Sequence, residues 1–242
     1  MRLFRNPRFS AASLAIASAF FGLFGFIFLI TQYLQLVQGY SPLEAGLRTL
    51  PFAVTTGAFS PLSIALMHRV GTTRVVAAGL GLMSAGFALA ATLGADSAYV
   101  GPILLSMVLM AAGLGLTTSP ATEAIMGALP EAKAGVGSAV NDTTRELGGT
   151  LGVAIVGSVF ASIYGPRVAE LLGDQPAEVV AAARESVGAA MVLAQQAPGG
   201  EAIAAAAREA FMSGFSSGSL VAAAATAAGA VLALRWLPAR AH

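Results

Sequence analysis

The chain has 242 residues, of which 56% are hydrophobic and 10% charged, with a net charge of +1 at pH 7 and no cysteine. Soluble domains carry roughly a quarter charged residues, so a mean hydropathy of +0.77 marks a chain whose solvent is lipid. The near-neutral balance offers no basic field for nucleic acid, the missing thiols exclude disulfides and thiolate chemistry, and with two His a metal centre is not expected.

Uncharged runs cover residues 9–43, 49–67, 75–95, 97–122, 147–166 and 210–234, and about 20 apolar residues at 1.5 Å rise cross a bilayer. They predict an all-α polytopic membrane protein, a single domain of six transmembrane helices at approximately 11–36, 46–67, 75–95, 99–120, 140–164 and 211–235. A closed barrel would instead alternate polar and apolar residues along each strand, and no such alternation occurs. The first run follows MRLFRNPRF and contains Ala17-Ser18-Ala19, as a secretory leader would. It continues well past a short apolar core, so a retained span is expected.

If the helices alternate in direction, Arg2, Arg5, Arg8, Arg69, Arg74, Lys133, Arg235 and Arg240 fall on one side. That side is expected to be cytoplasmic, with both termini inside and the protein in the plasma membrane. The short opposite loops, 38–46 and 95–99, carry Glu44 and Asp96 and no base. The long connection, 167–209, is then external; its apolar stretch 187–194 is too short to span, and charges recur at Glu178, Arg184, Glu185, Arg208 and Glu209. Amphipathic helices that lie at the interface or cap the bundle are expected there, broken at Pro198-Gly199-Gly200.

Inside the second span, Pro51, Gly57 and Pro61 weaken the helix and invite a kink. Gly113 and Gly115 on the fourth span, and Gly148, Gly149 and Gly152 on the fifth, allow close helix packing, Gly148 and Gly152 being in GxxxG spacing.

The scarce charges concentrate in VNDTTRELGGTLG, 140–152, where Asp142, Arg145 and Glu146 lead directly into the fifth span. Asp142 and Glu146 share a helix face, Arg145 is placed to pair with Asp142, and Asn141, Arg145, Gly148 and Gly152 form the adjoining stripe. Two like charges in a low-dielectric site disfavour double ionisation, so the pair could take up a proton or accept a cation. The alternative is a headgroup anchor, with Asp142 near a helix N-terminus and Arg145 on lipid phosphate. Arg48 has the same two readings, and Glu123 is either solvated or cavity-facing. The spans hold no Ser/His pair, HExxH or P-loop spacing, so neither intramembrane hydrolysis nor direct use of ATP is expected.

Three strings in order, YLQLVQGYSPLEAGLRTLP (33–51), MHRVGTTR (67–74) and GVGSAVNDTTRELGGTLGVAIVGSVF (135–160), resemble the C-terminal half of a major facilitator superfamily transporter, and specifically the fourteen-span drug:proton antiporter family. The resemblance runs over nearly the whole chain. It implies export of amphipathic or cationic small molecules driven by a proton gradient, with no bound cofactor. It also implies a partner, either an N-terminal six-helix half or a second copy, around a midplane site. By that analogy the first and fourth spans face the cavity, with Gln32, Gln35, Met107, Met110 and Thr117 as cavity candidates; the second and fifth meet the partner, and the third and sixth face lipid. Asn141, Asp142, Arg145 and Glu146 become the coupling candidates. Arg69, Gly71 and Arg74 match the family's cytoplasmic loop motif, although His68 stands where that motif has its acid, which favours a turn anchored to lipid phosphate over a gate. A half-size oligomeric transporter and a non-transporting membrane scaffold are the other readings of the residues.

Overall fold

Local signals in the sequence set most of the helix boundaries. The computed structural model describes residues 3–197 and 199–237; Arg2, Pro198 and Arg240 lie outside them. Helix α1, Pro7–Gln32, starts on Asn6, whose side chain accepts from the Arg8 and Phe9 amides, with Pro7 in the first turn. Its far end widens into π-helical turns over Tyr33–Val37, and Gly39, at φ 73°, lets the chain reverse. Helix α2, Pro42–Val70, opens with a reciprocal capping box between Ser41 and Glu44 and continues through Pro51 and Pro61. Gly71, at φ 89°, makes the turn into α3, Thr72–Ala90.

A bent entry, Tyr99–Ile103, precedes α4, Leu104–Gly127; it holds Pro102 and Gly101 at φ 128°. Helix α5 is Ala134–Leu171, α6 is Ala177–Glu185, α7 is Val187–Gln196 with Ser186 as its cap, and α8 is Gly200–Trp236. Helices α1 to α5 and α8 are the six long and apolar enough to cross a membrane, as the uncharged runs predict. No strand occurs among the described residues.

The helices overrun the apolar runs, and the segment 167–209 is therefore less of a loop than expected. Its first residues complete α5, and Gly200 to Glu209 form the start of α8, because EAIAAAAREA is rich in the strongest helix former. Between them α6 packs on α5 and α7 on α8, burying Ala183, Val187 and Ala190. The Tyr164 hydroxyl donates to the Ala183 carbonyl at 3.0 Å. Arg167 bridges Glu170 at 2.8 Å and Glu209 at 2.7 Å, tying α5 to α8. The result is a packed cap over one end of the bundle.

The spans form two layers. Helices α2, α4, α1 and α5 lie side by side in that order, while α3 backs α4 and α8 backs α1, α5 and α3. Between layers, and along the front, glycines set the spacing. A Cβ at Gly148 or Gly152 would strike the α1 backbone at Ala17 or Phe21, and Gly149 lies against the Phe24 ring. Gly79 and Gly113 meet reciprocally, each against the other's carbonyl oxygen, where α3 crosses α4. Toward the cap the core becomes aromatic: Tyr164, Phe160, Phe211, Phe215 and Tyr33 pack in succession, stacked, edge-on or tilted, with ring centroids 5.1 to 6.0 Å apart. The outer members of the front layer stay uncovered, with Leu43, Leu47, Leu50, Val54 and Leu62 exposed on α2 and Leu147, Leu151, Val153 and Ile155 on α5.

Candidate functional site

At the end opposite the cap, Arg8, Arg69 and Arg74 come together, and this is termed the basic end. The front layer there carries a polar cleft of about 390 Å³, lined by Ile64 of α2, Thr118, Ser119, Thr122 and Glu123 of α4, and Arg145 of α5. The half-buried Arg145 reaches across from α5: its Nη2 donates to Thr122 Oγ1 at 3.1 Å, and its guanidinium carbon lies 5.2 Å from the centre of the Phe20 ring on α1. Its Nε is buried without an acceptor, and Oδ1 of Asn141, one turn earlier, is buried without a donor. A cleft with three hydroxyls, an incompletely satisfied guanidinium and one carboxylate can hold water, protons or the polar part of a small molecule.

The expected pairing of Arg145 with Asp142 does not form. Among the described residues the ion pairs are those of Arg167 alone, and Asp142 and Glu146 are both exposed. The stripe Asn141, Arg145, Gly148, Gly152 turns inward so that the two glycines can meet α1. That rotation carries the guanidinium toward α4 and leaves the two carboxylates on another side of α5.

Met107, Met110 and Thr117, expected at the cavity, are fully buried in the chain itself. Two of them face the back layer: Met110 lies over Gly86, Thr117 lies over Gly79, and the Thr117 hydroxyl donates to the Gly113 carbonyl at 2.8 Å. Two α3 glycines provide the space for these side chains, so this stripe of α4 points backward and Thr118, Ser119 and Thr122 take the front. Gln32 is half-buried near the capped end, its Nε2 donating to its own helix at the Phe28 carbonyl, 3.1 Å. Gln35 is half-buried in the π-helical turns.

Arg69 and Arg74 flank the Gly71 turn and are exposed; with Arg8 and Glu123 they border a second, larger recess at the basic end. Glu123 thus lines both hollows, a position its sequence context left open.

Two features at the capped end have no signal in the sequence. Gln38 Nε2 lies 2.9 Å from Tyr33 Oη and 2.8 Å from the Ala95 carbonyl, while the Tyr33 hydroxyl donates to Gly94 O at 2.8 Å. The Arg48 guanidinium lies 3.7 Å from the Tyr40 ring centre and 5.6 Å from that of Tyr99, whose hydroxyl donates to the Arg48 carbonyl at 2.7 Å. The bonds from Tyr33 to Gly94, Gln38 to Ala95 and Tyr99 to Arg48 join residues 51 to 61 positions apart, a separation that no local pattern reports.

Six membrane-length helices packed in two layers, with a polar cleft opening on one of them, define a polytopic helical membrane bundle. Residues 1–153 match the Major Facilitator Superfamily, and the chain belongs to that family. It is similar to the multidrug efflux pump LfrA of Mycolicibacterium smegmatis, at 36% identity over 223 residues, covering 91% of this chain and 44% of that protein. Similarity to the methyl viologen resistance protein SmvA of Salmonella typhimurium is 34% over 215 residues, 88% of this chain and 43% of that one. A solved bacterial homolog of the human lysosomal transporter Spinster, inward-facing and unoccupied, superposes with a TM-score of 0.72 at 20% identity over 98% of this chain and 50% of its own, which shows the shared fold. The chain spans less than half the length of these two relatives.

Proposed function

We propose that this chain is one half of a proton-coupled exporter of amphipathic cations, working in the cell membrane with the basic end cytoplasmic and an N-terminal six-helix half as its partner. The fourteen-span drug:proton antiporters are the proposed subgroup. The observation that carries this is the front layer: a polar cleft flanked by α2 and α5, whose exposed apolar rows remain for another body to cover. Similarity to a multidrug efflux pump and to a methyl viologen resistance protein, each more than twice this chain's length, supports the same reading. In it, Asp142 and Glu146 meet the interface between halves, where covering them disfavours double ionisation and lets one carry a proton. Arg145 holds Thr122 and keeps a positive group in the cleft while no cation is present.

The mass of the native gene product tests the pairing, read in source-cell membranes with an antibody to residues 167–209. A product about twice the 24.2 kDa of this chain is the expected result; a product at the chain's own mass, with self-crosslinking through α2, transfers the partner's role to a second copy. Substrate-driven proton release from the native product in vesicles tests the transport reaction itself, and its absence removes coupling.

A further inference from the structure

The recess under the basic end shares only Glu123 with the cleft and is the larger of the two, with a volume of about 800 Å³. Arg8 from the start of α1, Arg69 and Arg74 from the α2–α3 turn, and the first turn of α3 at Thr72 and Thr73 converge on it. Among the described residues Glu123 is its single lining carboxylate, so three arginines stand against one acid. None of the three has a carboxylate within ion-pair distance among the described residues. The Nε of Arg8 is buried without an acceptor. Helix α3 begins on Gly71, which has no side chain to cap the first amides, and Thr73 spends its hydroxyl on the Leu237 carbonyl. Unanswered amides at a helix start and unpaired guanidiniums converge on an anion with several acceptor oxygens, as in a phosphate ester.

The remaining walls show which phosphate. Met67, Val70, Leu234 and Leu237 line the same recess, which lies where the back-layer helix α3 begins and α8 ends. Beside it, α8 exposes Leu234 and Trp236 with Arg235 between them, the residue types that sit at a bilayer headgroup. We infer that this recess binds the phosphodiester of an anionic phospholipid, its headgroup held by Arg8, Arg69, Arg74 and the α3 amides and its acyl chains lying against α8. This goes beyond the export reading and rests only on the chain spanning a membrane.

Native mass spectrometry of the purified 242-residue chain, with phosphatidylglycerol or phosphatidylcholine as probe, tests it. The wild-type chain should retain phosphatidylglycerol in preference to phosphatidylcholine. The double variant Arg69→Gln/Arg74→Gln, both residues exposed, should bind it about thirtyfold more weakly, at roughly fivefold for each base near an anionic surface. The variant Arg5→Gln/Lys133→Gln removes the same charge from exposed positions outside the recess and should leave binding unchanged. Equal loss in the two double variants would mean a diffuse field and overturn the site, as would equal retention of both lipids. Glycerol phosphate binding as tightly as the lipid, with the same arginine dependence, would overturn the lipid assignment in favour of a soluble phosphate. Arg8→Met gives an independent check: it should melt no lower than wild type without lipid, since it removes a buried unpaired nitrogen, yet lose the rise in melting temperature that phosphatidylglycerol confers.

Discussion

Replacing Gly152 by Ala should loosen the bundle at its front layer, and the size of the effect can be worked from the α1–α5 crossing. The added methyl would meet the Phe21 carbonyl oxygen, with the carbonyl carbon and Cα of Phe21 both at 2.9 Å. All three are backbone atoms, so no side chain can swing aside. Carbon atoms rest comfortably at about 3.5–4.0 Å, so α1 and α5 must part by roughly 0.5–1 Å. A gap of that size forfeits a quarter to a half of each atom pair's attraction of about 0.1–0.2 kcal/mol. Over on the order of 40 pairs, the number one buried leucine makes, the loss is about 2 kcal/mol, inside the range of about 1–3 kcal/mol for overpacked interiors. Circular dichroism melting of the purified chain in detergent should then show a midpoint lower by roughly 4–8 °C. Gly57→Ala supplies the contrast, because a Cβ there meets nothing within 4 Å and alanine favours helix by up to about 1 kcal/mol. If Gly152→Ala melts with wild type and with Gly57→Ala, the close crossing does not hold the layer together and the argument fails.

Other outcomes follow from the same geometry. Arg145→Met keeps the stem but removes the bond to Thr122 and the unpaired Nε; export by the assembled transporter should fall at least tenfold while the chain's stability, read from its melting, stays within about 1 kcal/mol of wild type, the net worth of one hydrogen bond, and undiminished export would remove Arg145 from the cycle. Met110→Ala should cost about 2–5 kcal/mol of stability, as a core truncation does, and leave substrate preference alone; a changed substrate profile with intact stability would return Met110 to the cavity. Asp142→Asn and Glu146→Gln, both exposed, should leave the isolated chain's melting unchanged and weaken proton coupling only in the assembled transporter, and unchanged efflux for both would leave the headgroup-anchor reading. Cysteines placed singly at Gly173 and His68, both exposed and at opposite ends, test orientation, with reaction from outside expected at Gly173 alone.

The six spans were legible because lipid excludes charge along whole segments, a constraint written into composition. The inner stripe of α5 was legible too, since Gly148 and Gly152 can be so small only where another backbone approaches. What α4 presents was not. Thr117 and Thr118 are adjacent and chemically alike, and only the glycines at positions 79 and 86 of α3 decide that Thr117 is swallowed by the back layer while Thr118 lines the cleft. The Asp142–Arg145 pair was expected from helix spacing, which permits the contact; Thr122, far along the chain, offered the guanidinium an alternative on the inward side. Spacing reports which residues can meet on one helix, and the neighbouring helix decides which of them do.

The cap over α5 and α8 gives the bundle unequal stiffness along its length. At that end Arg167 clasps Glu209, Tyr164 holds Ala183, Tyr33 and Gln38 grip the turn after α3, Ser216 bonds Ala91, and Arg48 is wedged between two tyrosines. At the other end the side-chain ties between helices reduce to Thr73 with Leu237 and Arg145 with Thr122 among the described residues. A torque applied through α2 or α5 would therefore be transmitted almost rigidly near the cap and absorbed as bending near Gly71. Such a body pivots like a lever clamped at one end, with its compliance where the arginines gather.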